Sequence, residues 1–226
     1  MKVRVAYSPS RGVALETPFF VGRVPGSDVV AIFKVKDDPG AERISCSGDL
    51  EVIDEITKDK RVSRCHVRIL DSDGSLVIVD HGPLGKGSTN GTEVSGRELR
   101  KGESLSVKEV AVVSIPASDP TVSFVVYPLE SREPWIIVAD NIFELRKKLV
   151  STSSPIELTK IVNKVKSSME DILNNVEDED IANVVINILK EIDEAFDQKL
   201  PSGALRNVAI DCLDKLWDAL IGRRRI

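Results

Sequence analysis

The chain has 226 residues, a net charge of −5, 42% hydrophobic residues and only 4% aromatics. That much apolar material excludes a disordered chain, and the shortage of rings leaves the core to Val, Ile and Leu. Neither half is basic: residues 1–128 hold 17 Lys/Arg against 18 Asp/Glu, and residues 129–226 hold 14 against 18. This argues against a broad footprint on nucleic-acid phosphates, and direct nucleic-acid binding is not expected.

In chain order, the first segments read as strands. Met1–Tyr7 alternates polar and apolar residues and lacks the apolar core of a signal peptide. No stretch approaches the roughly 18 apolar residues of a membrane helix. Runs such as Val3-Arg4-Val5, His66–Leu70 and Ser75–Val79 are short and β-branched, and Gly, Pro, Asp and Ser separate them. Between the last two runs, Asp71-Ser72-Asp73-Gly74 predicts a hairpin with Gly74 at positive φ. Many short strands with turn signals between them predict a sandwich or barrel up to about Tyr127.

Near Pro128 the period changes to three and four. Leu158, Ile161, Val162, Val165, Met169 and Ile172 share one helical face. Its start is marked by Ser154 as N-cap, Pro155 at the first position and Glu157 as a capping-box residue. A second face carries Ile181, Val184, Val185, Ile188, Leu189, Ile192 and Phe196. After Pro201-Ser202-Gly203, a third carries Leu205, Val208, Cys212, Leu216, Trp217 and Leu220. With Ile142, Phe143, Leu145 and Leu149, these predict about four helices in an all-α bundle. The expected fold class is therefore α+β in two domains: residues 1–129 all-β, a short linker over 130–139, and a helical domain over 140–226.

Three motifs stand in the β half: Gly22-Arg23, then Ser63-Arg64-Cys65-His66, then Ser88-Thr89-Asn90-Gly91-Thr92. In type and order they resemble those of the forkhead-associated (FHA) family, over roughly residues 1–128. The resemblance implies a β-sandwich that binds phosphothreonine in other proteins and is not an enzyme. It implies that Arg23 and Ser63 hold the phosphate with Arg64 assisting. Thr89 would add a phosphate donor, and Asn90 would grip the peptide backbone. Gly22, His66 and Gly91 are implied as structural supports of the site. The residue types suit the task, because a phosphothreonine carries about −1.5 to −2 charges and three acceptor oxygens. A guanidinium offers planar, permanently charged donors to match them. Arg61 and Lys86 lie beside the motifs and are candidate readers of flanking peptide residues.

One departure from the family pattern is length. Between Arg23 and Ser63 lie 39 residues, so an inserted loop or hairpin is expected over about 31–54, next to the binding edge.

Other signals carry less. Gly82–Thr89 has the wrong spacing for a nucleotide P-loop, with Lys86 followed by Gly87. Asp71–Gly74 is too short for a calcium loop. Arg223–Arg225 and Glu177–Asp180 read as complements to helix ends. The only histidines, His66 and His81, form no triad, and no metal site or cofactor is expected. Cys46, Cys65 and Cys212 are odd in number and widely spaced, so no disulfide and a cytoplasmic setting are expected.

The functional expectation is a phosphothreonine-dependent adaptor or regulator in Ser/Thr kinase signalling. Its partners would be threonine-phosphorylated proteins, the kinase or its substrate among them. One alternative is an assembly protein acting through its helices, a candidate homo-oligomer with an idle FHA scaffold. Another is a regulator of transcription acting through protein partners.

Overall fold

The computed structural model describes residues 1–8, 11–40, 44–46, 49–130, 134–175 and 179–222, without the side chains of 134–140, 175 and 220–222. The expected roles of Glu177, Asp178 and Arg223–Arg225 lie outside the described residues. The chain divides into two compact units, residues 1–131 and 132–223.

Among its described residues, the first unit contains twelve strands in two antiparallel sheets. They are β1 (Lys2–Ser8), β2 (Arg11–Glu16), β3 (Phe19–Arg23), β4 (Val29–Val35), β5 (Leu50–Lys58), β6 (Val67–Ser72), β7 (Ser75–Asp80), β8 (Thr92–Val94), β9 (Arg97–Leu99), β10 (Ser104–Val107), β11 (Ala111–Ile115) and β12 (Val122–Pro128). One sheet runs β2-β1-β12-β11-β8-β9 and the other β10-β7-β6-β3-β4-β5. The period-two pattern sends Val3 and Val5, Phe19 and Val21, Val30 and Ile32, and Val113 and Ile115 into one core between the sheets. The β6–β7 hairpin closes on Asp73 and Gly74, at φ 50° and 78°. Two consecutive positive φ values match the right-handed strand twist, and Asp and Gly tolerate them.

The insertion is a hairpin. β4 and β5 pair antiparallel, with register shifts at Val30/Ala31 and Ile32/Phe33, and β5 forms the sheet edge. Its charged residues and bulges blunt that edge against further pairing. Ile44 and Cys46, in the connection between the two strands, pack on the outer face of the same sheet. There Phe20, Ala31, Phe33 and Cys65 make a second small core, packed by Ile44, Cys46 and Leu50. Arg68, fully buried on that face, pairs with Asp38 and lies 5.1 Å over the Phe20 ring. Phe20 also stacks on Phe33 and meets His81 edge-on.

The insertion overturns one expectation. Cys46 and Cys65 are joined in a disulfide, with Cα atoms 6.3 Å apart. Spacing misled here because the bond is made by the insertion folding back over the sheet, which the sequence separation of 19 does not reveal. Cys212 is a buried free thiol pushed up to about 12, chiefly by burial and then by Glu191.

Among its described residues, the second unit is four helices: α1 (Pro134–Ser151), α2 (Pro155–Asn175), α3 (Glu179–Asp197) and α4 (Ser202–Gly222). α1 begins at Pro134, so most of the segment expected as linker is helical, with proline at the first position. The apolar faces meet: Leu158, Val162, Val165 and Met169 of α2 are buried, as are Val185, Ile188 and Ile192 of α3. From α4, Leu205, Cys212, Leu216 and Trp217 join them. Arg146 of α1 grips Asp214 of α4 with two bonds, 2.6 and 3.0 Å. At the start of α2, Ser154 Oγ accepts the Glu157 N–H at 3.3 Å. The Glu157 carboxylate accepts from the Thr152 hydroxyl at 2.9 Å. No helix is long and apolar enough to cross a membrane among the described residues.

Candidate phosphate-binding site

The site forms where three loops meet at one end of the sandwich. β3 delivers Gly22 and Arg23, and its inner residues are pinned in the core. A Cβ on Gly22 would lie 2.3 Å from the His66 backbone nitrogen, so only glycine allows this approach. The following loop then clamps Arg23. The Arg23 N–H donates to the Ser63 carbonyl at 3.0 Å, and the Cys65 N–H donates to the Arg23 carbonyl at 3.3 Å.

His66 holds two of the loops together. It is fully buried; its Nδ1 accepts the Ser63 N–H at 3.0 Å, which leaves Nε2–H to donate to the Gly91 carbonyl at 2.8 Å. Burial lowers its pKa, so the ring is neutral and can play both parts. Asp80 organises the third loop. This buried carboxylate accepts from the Ser88 N–H at 2.9 Å, the Thr92 hydroxyl at 2.7 Å and the Gly102 N–H at 3.3 Å. Gly91, at φ 74°, makes the turn between Asn90 and Thr92.

These constraints bring Arg23, Ser63, Arg64, Thr89 and Asn90 to one concavity of about 180 Å³, which Lys60, Arg61 and Pro83 also line. The volume falls below the roughly 300–1,000 Å³ of sites for drug-sized ligands. It suits a compact group, not a nucleotide. Ser63 Oγ accepts the Thr89 N–H at 2.9 Å, and Asn90 Nδ2 donates to the Arg61 carbonyl at 2.6 Å. Arg23 spans the floor, its Nε donating to the Val62 carbonyl at 3.1 Å and Nη1 to the Ser27 carbonyl at 3.3 Å.

Acidic residues stand at the rim. Asp28 lies 3.9 Å from Arg23 and 3.5 Å from Lys60. Arg61 pairs with Asp59 at 2.9 Å and with Asp119. The Arg61 guanidinium holds the Asp59 carboxyl well below the usual range, with the Thr121 hydroxyl assisting. Lys86 does not line this concavity; it lies in a neighbouring groove.

A family model for the FHA domain matches residues 43–116, which include the Ser63–His66 and Thr89–Thr92 motifs. The N-terminal half contains an FHA domain. FHA domains are phosphothreonine-dependent protein-interaction modules, not catalysts, and the sandwich agrees with that fold. Gly22 and Arg23 precede the matched stretch, so the place of Arg23 rests on its backbone pairing with the Ser63–Cys65 loop. Comparison with curated proteins and with solved structures found no match.

The sequence motifs did not point to Lys60, Asp28 or Asp80. Lys60 had a signal, since it stands in the charged run Lys58-Asp59-Lys60-Arg61 just before Ser63. Asp80 had one too: it ends the apolar strand Leu76–Val79, where a carboxylate needs a structural reason. Among the described residues, no group of three or more His, Cys, Asp and Glu is placed to hold a metal ion.

Proposed function

We propose that the concavity around Arg23 binds the phosphate of phosphothreonine, and that the protein is a non-catalytic adaptor in Ser/Thr kinase signalling. The carrying observation is convergence: the cations and hydroxyls of three separated motifs line one small hollow. Arg23 and Arg64 neutralise the phosphate charge, Ser63 and Thr89 offer hydroxyl donors, and Asn90 holds the peptide main chain. Each charge-assisted bond contributes about 1.5–3 kcal/mol. After ordering costs, a few of them give roughly micromolar affinity, near −8 kcal/mol.

The ligand is a threonine-phosphorylated segment of a kinase, of its substrate, or of a second copy of this chain. Threonine phosphorylation draws on intracellular ATP, so the cytoplasm is the proposed setting. Replacing Arg23 with Ala tests the site. Affinity for a phosphothreonine peptide should fall at least about tenfold while the circular dichroism spectrum and melting temperature stay put. Unchanged affinity would remove Arg23 from the site.

The assembly reading has one observation in its favour. Val150 and Ile156 are 58% and 73% exposed on either side of the α1–α2 turn. Docking of a second copy or of a constant partner there would give the helices an output role, and light scattering on the full chain reads it directly.

A further inference from the structure

The Cys46–Cys65 bond ties the insertion to the residue between Arg64 and His66. Its two ends differ in access. Cys65 is fully buried, whereas Cys46 is half-buried and lines an open groove of about 450 Å³. Arg64 and Lys86, both exposed, stand in the same groove with Ser45 and Leu84. A reagent from solution therefore meets the bond at Cys46, and it meets two cations as it arrives. Those cations raise the local concentration of an anionic thiol and give a neutral one no such gain.

The other end of the bond holds the phosphate hollow. Cys65 sits at φ 48°, in the left-handed region that a residue with a Cβ rarely adopts. In that conformation its N–H donates to the Arg23 carbonyl at 3.3 Å, and Arg23 and Arg64 are bridged backbone to backbone. On the insertion side, the Cys46 N–H donates to the carbonyl of Pro83 at 3.1 Å, and Pro83 lines the hollow. The bond thus restrains the backbone that sets two of the hollow's cations.

We propose that the groove is a thiol-exchange site: a small anionic thiol enters it, opens the Cys46–Cys65 bond at Cys46, and so loosens the hollow's hold on phosphate. Exposed disulfides are the labile, regulatory ones, and the proposed cytoplasmic setting supplies thiols. The loosening rests on the phosphothreonine reading of the hollow; the exchange does not.

The thiolate sulfur bonds to Cys46 Sγ as the Cys46–Cys65 bond breaks. The electron pair leaves on Cys65 Sγ, which takes a proton from water. A second thiolate attacks the small thiol's sulfur in the mixed disulfide and releases the Cys46 thiolate, which is protonated in turn. Two small thiols are oxidised to one disulfide, and the protein disulfide is reduced by two electrons to two thiols. The insertion stays on the sheet throughout. Ile44 remains in the small outer core with its N–H donating to His81 Nε2 at 3.3 Å, and Asp38 still pairs with Arg68.

The test mixes the oxidised full chain with 2-mercaptoethanesulfonate, 2-mercaptoethanol or cysteamine, an anionic, a neutral and a cationic thiol. Each rate is divided by that thiol's rate on a small neutral disulfide, which removes differences in thiol acidity. The relative rate should be about fivefold higher for the anion than for the neutral thiol, the scale of an exposed ion pair, and lowest for the cation. Lys86→Gln should remove most of the anion's advantage and leave the neutral thiol's rate unchanged. Peptide mapping of acid-quenched samples should find the first adduct on Cys46. In calorimetry with a phosphothreonine peptide pool, reduced protein should bind about fivefold more weakly than oxidised protein, the scale of re-ordering one backbone residue.

Equal relative rates for the three thiols, or an advantage unmoved by Lys86→Gln, would overturn the groove as the entry site. A first adduct on Cys65 would contradict attack from the groove. Alkylatable thiols at both Cys46 and Cys65 in air-oxidised protein would remove the bond and the proposal with it. Equal peptide affinity of oxidised and reduced protein would overturn the loosening. Peptide binding by neither form would defeat the phosphothreonine reading and the loosening together, while the exchange rates would still decide the thiol site on their own.

Discussion

Arg23 and Arg64 are joined by an isolated parallel bridge between their backbones, so two cations from motifs forty residues apart enter one hollow side by side. Like charges held this way repel each other, and an anion between them relieves the repulsion. The backbone clamp means that little of the binding energy is spent on bringing them together. On the proposed reading, the same arrangement suits the hollow to an anion whatever the ligand's sequence.

Asp28 competes for that role in the free protein, standing between Arg23 and Lys60. Asp28→Asn should raise phosphopeptide affinity by about two- to fivefold, the scale of a half-exposed ion pair. Weaker binding by this variant would show that Asp28 orients Arg23 instead of competing for it.

Gly22→Ala tests the close approach of β3 to the His66 segment. The added methyl would collide with backbone, which cannot swing away as a flexible side chain can. A loss of about 1–3 kcal/mol in chemical denaturation is expected, with weakened peptide binding alongside it. A variant as stable as the parent would mean that the two segments are farther apart than described.

The buried Arg68–Asp38 pair should behave asymmetrically. Asp38→Ala leaves a buried guanidinium without its partner and should cost about 3 kcal/mol. Replacing both residues with Met and Leu should recover most of that loss, because the desolvation cost disappears along with the pair. Equal stability of the single and double variants would contradict the burial of this contact.

Acid sensitivity follows from the two histidines. Burial lowers the pKa of both His66 and His81 from the ordinary imidazole value of 6.5. Above 6.5 the folded and unfolded chains are equally neutral at these sites, and full stability is present. As pH falls through 6.5 the unfolded chain takes up protons that the folded chain refuses, and stability declines until the folded values are reached. Denaturant midpoints at pH 7.5, 6.5 and 5.5 should therefore fall over the last step. A flat profile there would count against buried neutral rings.

Much of the architecture was legible in local pattern. Alternation in Val3–Val5 and Ser75–Val79, the turn at Asp73-Gly74, and the three- and four-residue spacing from Leu158 to Ile172 each dictate an element without tertiary help. The motif residues were legible as types: Arg23, Ser63, Arg64, Thr89 and Asn90 meet at one hollow, and His66 is the tie between loops. What local pattern does not encode is the fold-back of the insertion. Cys46 reaches Cys65 only because Phe20, Phe33 and Arg68 present an outer face that needs covering. Asp80 was hidden for a similar reason, since its three donors come from Ser88, Thr92 and Gly102, far along the chain.

The central claim is recognition of phosphothreonine, and calorimetric titration with degenerate phosphothreonine, phosphoserine and unphosphorylated peptide pools tests it most directly. Saturable binding of the phosphothreonine pool alone, weakened by added salt, is the predicted result. Equal binding of all three pools, or binding of none, would contradict it.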